Sequence, residues 1–172
     1  MKYEEPANVT TLDCKIGLVK THPDAQLPTQ AHSGDNCWDV YAVEDTIIPK
    51  SYAQLTNGEH AGYLYDVNVG NAVVPVGLKV AYITPGYGFV FRGRSGLGFK
   101  HGIMPHFGEI DNGYRGDLGV KLYNLTNADY HVKKGDKVAQ IKIEKNYNSV
   151  FYFDEEVANS TRGEGGFGSS GR

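Results

Sequence analysis

The apolar residues of this chain recur in short alternating runs, and no stretch of helical length carries a clean 3.6-residue period. That rhythm confines the fold to β-structure. Val76 to Ile83 is the clearest run, with Val76, Leu78, Val80 and Tyr82 expected on one face of a strand. Pro85-Gly86 supplies a turn before Phe89-Val90-Phe91, and the two runs read as a hairpin. Val120 to Tyr123 and Val138 to Ile143 alternate in the same way, the second after a turn at Lys133-Lys134-Gly135-Asp136. With 22 glycines and 12 tyrosines spaced among these runs, the pattern implies a sandwich, jelly roll or barrel. At 172 residues the chain is one domain's worth of material, long enough to enclose its own core.

Two regions stand apart. The Tyr-, Asn- and Gly-rich stretch between Pro49 and Val73 is either an extra hairpin or an ordered loop. From Ser160 onward the chain is Ser, Thr, Arg, Glu and Gly around a single Phe, which cannot build a core element. The expected organisation is a β-domain over residues 1–159 and a flexible arm over 160–172.

Composition excludes several functions. Hydrophobic residues at 40% and charged residues at 22% are ordinary for a folded, water-soluble protein. A net charge of −3 argues against direct polynucleotide binding, which needs a basic surface. No apolar run approaches the span of a bilayer, and Met1 to Val9 carries acidic and polar residues where a signal peptide needs an apolar stretch. The expected location is the cytoplasm or another soluble intracellular compartment. Cys14 and Cys37 have no metal-ligand or redox spacing and are expected as buried thiols. The histidines show no H-x-x-x-H pattern, so none is assigned to a metal.

Positive charge is more telling in its placement. Arg92, Arg94, Arg115, Arg162 and Arg172 all lie in the second half of the chain, each beside a glycine. Arginine reads phosphate oxygens in bidentate fashion, and glycine lets backbone approach a ligand. A small polyanion is suggested, although any single Arg-Gly pair is equally a solvated turn. Four segments carry the candidate chemistry. Arg92 to Gly102 offers Arg94, the Ser95 hydroxyl and the backbone around Gly96 and Gly98 as a phosphate loop, or else a basic surface turn. In Gly108 to Gly119, Asp111 precedes Asn112-Gly113, where a carboxylate serves as general base or metal ligand, or simply shapes a turn. Asp39, among Trp38, Val40 and Tyr41, is expected half-buried and so in need of a partner. Arg162, Phe167 and two hydroxyls in the terminal arm suit clamping a phosphate and stacking on a base. The arm also contains a G-x-G-x-x-G spacing, but without the following helix a dinucleotide fingerprint requires.

Taken in order, these segments resemble the five motifs of the trimeric dUTP pyrophosphatase (dUTPase) family. The motifs are Ser33 to Ala42, Arg94 to Ile103, Gly108 to Asp117, Gly135 to Ile141 and Arg162 to Gly171. The resemblance implies a jelly-roll-like β-barrel with a Gly-rich C-terminal arm, working as a homotrimer whose active sites combine residues from three chains. It implies hydrolysis of dUTP to dUMP and pyrophosphate by water attack on the α-phosphorus, which keeps uracil out of DNA and supplies dUMP for thymidylate synthesis. Asp111 would be the general base, and Tyr114 would lie under the deoxyribose and exclude a 2′-hydroxyl. A hairpin between Ile103 and Asp111, with Gly108 in it, would read the uracil edge. Arg94, Ser95 and Gly96 would hold the α/β-phosphates, and Gln140 would add a phosphate or water contact. Asp39 would act through a water on the Mg2+ carried by the triphosphate. Arg162 would grip the γ-phosphate and Phe167 would stack on the base. Gly168, Ser169 and Ser170 would complete closure of the arm.

This chain departs from the family pattern at four motif positions and in the stretch near 50–73, which exceeds the usual connection. Asn36-Cys37-Trp38 precedes the first-motif Asp where Ala-Gly-Tyr is usual, Gly93 stands for a Pro, and Gly113 stands for a second Asp, leaving Asp111 as the turn's only carboxylate. His106-Phe107-Gly108-Glu109 is bulkier and more charged than the usual base-reading residues. The related dCTP deaminases share the fold, but the Phe-bearing fifth motif disfavours them. A third reading is a nucleotide sensor that contacts a protein partner through the segment near 50–73.

Overall fold

The computed structural model describes residues 14–57, 63–158, 160, 161 and 163. The described chain is twelve strands and one helical turn. The strands are β1 (Ile16–Lys20), β2 (Trp38–Tyr41), β3 (Thr46–Ile48), β4 (Tyr52–Asn57), β5 (Tyr63–Asn68), β6 (Gly70–Ile83), β7 (Tyr87–Arg92), β8 (Ile103–Pro105), β9 (Glu109–Ile110), β10 (Asp117–Asn124), β11 (Tyr130–Val132) and β12 (Lys137–Lys145). Two four-stranded sheets, in the orders β1-β6-β10-β8 and β2-β12-β7-β9, supply most of the core, and a β3-β11 pair adds Ile48 and Val132 to it. Leu78, Ile83, Leu122 and Ile103 come from the first sheet and Val40, Phe89 and Val138 from the second, all essentially inaccessible to water. Each such side chain contributes about 1.5–3 kcal/mol of burial. The fold is therefore the jelly-roll type expected from the strand rhythm.

The expected alternation of Val76, Leu78 and Val80 holds, but Tyr82 lies outside it: it is solvent-exposed while Ile83 is buried. The cause is a β-bulge. Gly17 pairs with Tyr82 and Leu18 with Val80, so Ala81 is an extra residue that reverses the inward phase. A second irregularity, opposite Asp117–Gly119, lies between Pro75 and Lys79, where Gly77 adopts φ +65°. Proline cannot donate to a ladder and the following geometry is left-handed, so β6 bends there rather than ending.

Three further expectations are revised. Pro85-Gly86 does form a turn, with Tyr87 N–H donating to Thr84 O at 3.2 Å. It joins β6 of one sheet to β7 of the other and closes no hairpin. The segment from Ile103 to Asp111 is not a hairpin either: β8 pairs with β10, and β9 pairs with β7. Cys14 and Cys37 are half-buried free thiols, not buried ones. The open choice for the 50–73 stretch resolves as a hairpin, with β4 and β5 paired from Tyr52–Asn68 to Asn57–Tyr63. Among the described residues no helix is long and apolar enough to cross a membrane.

Candidate active site

Asp39 is the centre of the first cluster and is buried, at 2% exposure, where half-burial was expected. The backbone of β2 fixes it on both sides, its N–H donating to Thr29 O at 2.7 Å and its carbonyl accepting from Thr29 N–H at 3.2 Å. In register, Asp39 faces Gln140 on β12, and Gln140 in turn faces Arg92 on β7. Gln140 Nε2 donates to Asp39 Oδ1 at 3.1 Å. Arg94, two residues beyond β7, turns back to donate Nε to the same oxygen at 3.1 Å and an η-nitrogen to Lys137 O at 3.2 Å. Lys137 Nζ takes the other oxygen, Oδ2, at 2.7 Å.

Lys137 was not among the residues expected from sequence. Positions three apart on a regular strand point to opposite faces, so Lys137 and Gln140 should not share a target. A bulge between Lys137 and Ala139 removes that phase difference and lets both reach Asp39. Burial alone pushes the Asp39 carboxyl up, but the hydrogen bonds from Lys137 and Gln140 and the charges of Arg94 and Lys137 outweigh it and hold the group below its ordinary range. Asp39 is thus an anion at neutral pH.

Immediately after Arg94 the chain makes one π-helical turn over Gly96–Lys100. Leu97 anchors it to the core, while Ser95, Gly96 and Phe99 face solvent. Ser95 precedes the turn in αR geometry and does not cap it with its hydroxyl. π-Helical turns are rare and concentrate at functional sites. The turn sets Arg94, Ser95 and the Gly96 backbone on one open rim.

The second cluster is the turn Asp111 to Tyr114, closed by Tyr114 N–H donating to Asp111 O at 3.0 Å. Asp111 and Tyr114 are both exposed. The Tyr114 ring folds back so that its hydroxyl donates to Asp117 O at 2.8 Å. Gly116 makes this possible, because a Cβ there would stand 2.2 Å from the Tyr114 hydroxyl oxygen. Arg115 braces the turn by donating to Asn112 O and Tyr114 O, each at 2.7 Å. Gly108, expected to read the base, accepts from Phe91 N–H through its carbonyl at 3.3 Å.

The structure brings Asp39, Arg94 and Gln140 together, with Ser95 and Gly96 beside Arg94, places Asp111 and Tyr114 elsewhere, and sets Gly108 against Phe91, between the two clusters. Ile110 pairs with Phe89, so Asp111 lies at the Gly88 level of β7, whereas Asp39 and Gln140 lie at the Arg92 level. Four residues along a strand are ~13 Å and the three strand spacings from β2 to β9 are ~14 Å, giving a separation of roughly 20 Å. Within one chain the two clusters cannot meet. The expected contacts of Arg162, Phe167, Gly168, Ser169 and Ser170 lie outside the described residues. Among the described residues, no group of three or more His, Cys, Asp and Glu is placed to hold a metal ion.

The family model described as dUTPase matches residues 61–171. A deoxyuridine 5'-triphosphate nucleotidohydrolase of Solibacter usitatus is 39% identical over 162 residues, covering 92% of this chain and 97% of the relative. This chain belongs to the dUTPase family. A second relative, the deoxyuridine 5'-triphosphate nucleotidohydrolase of Candida albicans, is 35% identical and covers 87% of this chain and 84% of its own length. Among solved structures, a dUTPase of Staphylococcus bacteriophage 80alpha with dUpNHpp superposes with a TM-score of 0.73 at 22% identity, covering 92% of this chain and 99% of that one. A mutant dUTPase from phage phi11 of S. aureus, described with a structural Mg(II) ion, gives a TM-score of 0.66 at 20% identity over 84% of this chain and 99% of its own. At these identities the structural likeness speaks for the fold. It agrees with the dUTPase assignment made from sequence.

Proposed function

We infer that this dUTPase-family chain hydrolyses dUTP to dUMP and pyrophosphate, and that it does so in sites assembled between copies of itself. The observation that carries the second half is the separation of the Asp111 turn from the Arg94 cluster on one chain. A base cannot activate water beside a phosphate held roughly 20 Å away, so the two halves must come from different chains. A closed homotrimer satisfies this requirement, since each copy lends its Asp111 turn to one neighbour and its Arg94 rim to another.

In such a site Arg94, Ser95 and the Gly96 backbone hold the α/β-phosphates and Gln140 adds a phosphate or water contact. Asp111 accepts the proton of the attacking water, and Tyr114 underlies the sugar and rejects a 2′-hydroxyl. Gly108 lies beside the uracil. Asp39 fits a role through water and not as a direct metal ligand, because both of its oxygens are engaged by Arg94, Gln140 and Lys137. Mg2+ would be carried by the triphosphate, neutralising its charge and fixing its path. Arg162, Phe167, Gly168, Ser169 and Ser170, in an arm over 160–172, close the site on the γ-phosphate and the base. The 1–159 domain, working in a soluble intracellular compartment, carries the β4-β5 hairpin as a surface for a protein partner.

The test is a magnesium-dependent pyrophosphate assay across dUTP, dTTP, dCTP and UTP. Pyrophosphate and dUMP from dUTP in strong preference to the other three is the expected result. Ammonia release from dCTP, or equal turnover of all four, would overturn the reading.

A further inference from the structure

Asn112 takes no part in the reactions assigned above, yet it is the most heavily engaged residue of its turn. Its side-chain nitrogen lies 3.1 Å from Ile83 O, 2.8 Å from Thr84 O and 3.0 Å from Tyr87 O, so its two hydrogens are shared among three carbonyls. A turn asparagine ordinarily bonds its own backbone a residue or two away. Here the donors cross to the Pro85-Gly86 turn, 25 to 29 positions earlier.

That turn is itself fixed. Thr84 N–H donates to Lys15 O at 2.9 Å, and Lys15 N–H donates to Thr84 Oγ1 at 2.7 Å. Asn112 therefore clasps the Asp111 turn to a crossover already tied to the chain entering β1. On its other side Asp111 follows directly from the two-residue strand β9. The neighbouring Gly113 contributes no side chain, and a Cβ there would meet nothing within 4 Å. Among the described residues, the clasp is thus the side-chain tether that runs from Asn112 to another part of the fold.

We propose that Asn112 is the positioning residue that holds Asp111 where it can activate water, an inference that rests on the reading of Asp111 as the base. Releasing the clasp leaves the turn pivoting on β9, and a displacement of 1 Å at a reacting group costs about 100-fold in rate.

The test compares Asn112→Asp, which keeps the size but turns a carboxylate toward three carbonyl oxygens, with Asn112→Ser, which keeps one donor. Asp111→Asn is measured in parallel. The readouts are kcat and KM for dUTP on the isolated folded oligomer, calorimetric affinity for a non-hydrolysable dUTP analogue, and the thermal midpoint. For Asn112→Asp the expected result is a kcat loss of about 100-fold with KM and analogue affinity within about threefold of wild type, Asn112→Ser lying between. If Asn112→Asp does not fold, Asn112→Ser alone decides by the same split. Inactive Asp111→Asn beside Asn112 variants with wild-type kcat would overturn the positioning role and leave the base reading standing. Variants that lose only thermal midpoint would overturn it too. Wild-type turnover by Asp111→Asn would overturn the base reading and this inference together.

Discussion

Lys137 Nζ sits 2.7 Å from Asp39 Oδ2, on the carboxylate oxygen that Arg94 and Gln140 leave to it. Asp39 thus has a cationic partner on each carboxylate oxygen. The pair has a defined pH window. The Asp39 carboxyl is held below its ordinary 3.8, so its stabilising contribution is complete above that value and is lost as pH falls through the lower folded pKa. The Asp39 bond raises Lys137 above 10.5, so that contribution is complete below 10.5 and is lost as pH rises through the higher folded value. Replacing Asp39 by Asn should cost about 1–3 kcal/mol in urea unfolding at pH 7. The gap between wild type and variant should be flat between 3.8 and 10.5 and narrow on either side. A gap that widened on acidification would contradict this picture.

Gly116 gives the Tyr114 ring its place. Gly116→Ala sets a methyl where the structure leaves 2.2 Å to the Tyr114 oxygen, and the ring, being the movable partner, is the part that shifts. The expected outcome is a loss of about tenfold or more in kcat/KM for dUTP and weaker discrimination against UTP. Circular dichroism melting should move little. Unchanged dUTP-to-UTP selectivity would show that Tyr114 does not guard the sugar.

A Cβ on Gly96 meets nothing within 4 Å, so the fold does not need glycine there. If a phosphate approaches that backbone, it does. Gly96→Ala should melt within a degree or two of wild type, while its KM for dUTP rises by about tenfold. Wild-type KM in isothermal or steady-state assays would remove Gly96 from the phosphate site.

Asn124 predicts a stability effect distinct from catalysis. It is fully buried, donates Nδ2 to Ile48 O and Ala128 O at 3.1 and 2.8 Å, and accepts from Thr126 N and Oγ1 at 3.0 and 2.7 Å. Four bonds tie the end of β10 to β3 and to the 126–128 loop. Asn124→Ala should destabilise by about 2–4 kcal/mol, with kcat per folded site unchanged. Denaturant titration and active-site titration separate the two.

Local chemistry made much of this legible in the sequence. Alternation revealed the strands, Pro85-Gly86 and Lys133 to Asp136 revealed turns, and residue types marked Asp39, Arg94 and Asp111 as the groups to watch. Relations carried by pairing were not legible. Tyr82 left its expected face because an extra residue sits opposite Gly17–Leu18, and Lys137 reached Asp39 because of a bulge beside it. The extra residues, Ala81 and Val138, are of types that give no sign of a bulge. Turn residues also do not say which sheet each flanking strand joins, which is why the hairpin expected at Pro85-Gly86 proved to be a crossover. The clasp of Asn112 across 25 positions and more belongs to the same class.

A site built from the Asp111 turn of one chain and the Arg94 rim of another can be rebuilt from two defective parents. In a complementation experiment, Asp111→Asn and Arg94→Ala chains are purified separately, shown to be inactive, then unfolded and refolded together and assayed for pyrophosphate release from dUTP. Each mixed oligomer holds sites with an intact Asp111 from one parent and an intact Arg94 from the other. Hydrolysis is expected to return in the mixture and in neither parent refolded alone. A mixture that forms mixed oligomers and stays as inactive as its parents would contradict it.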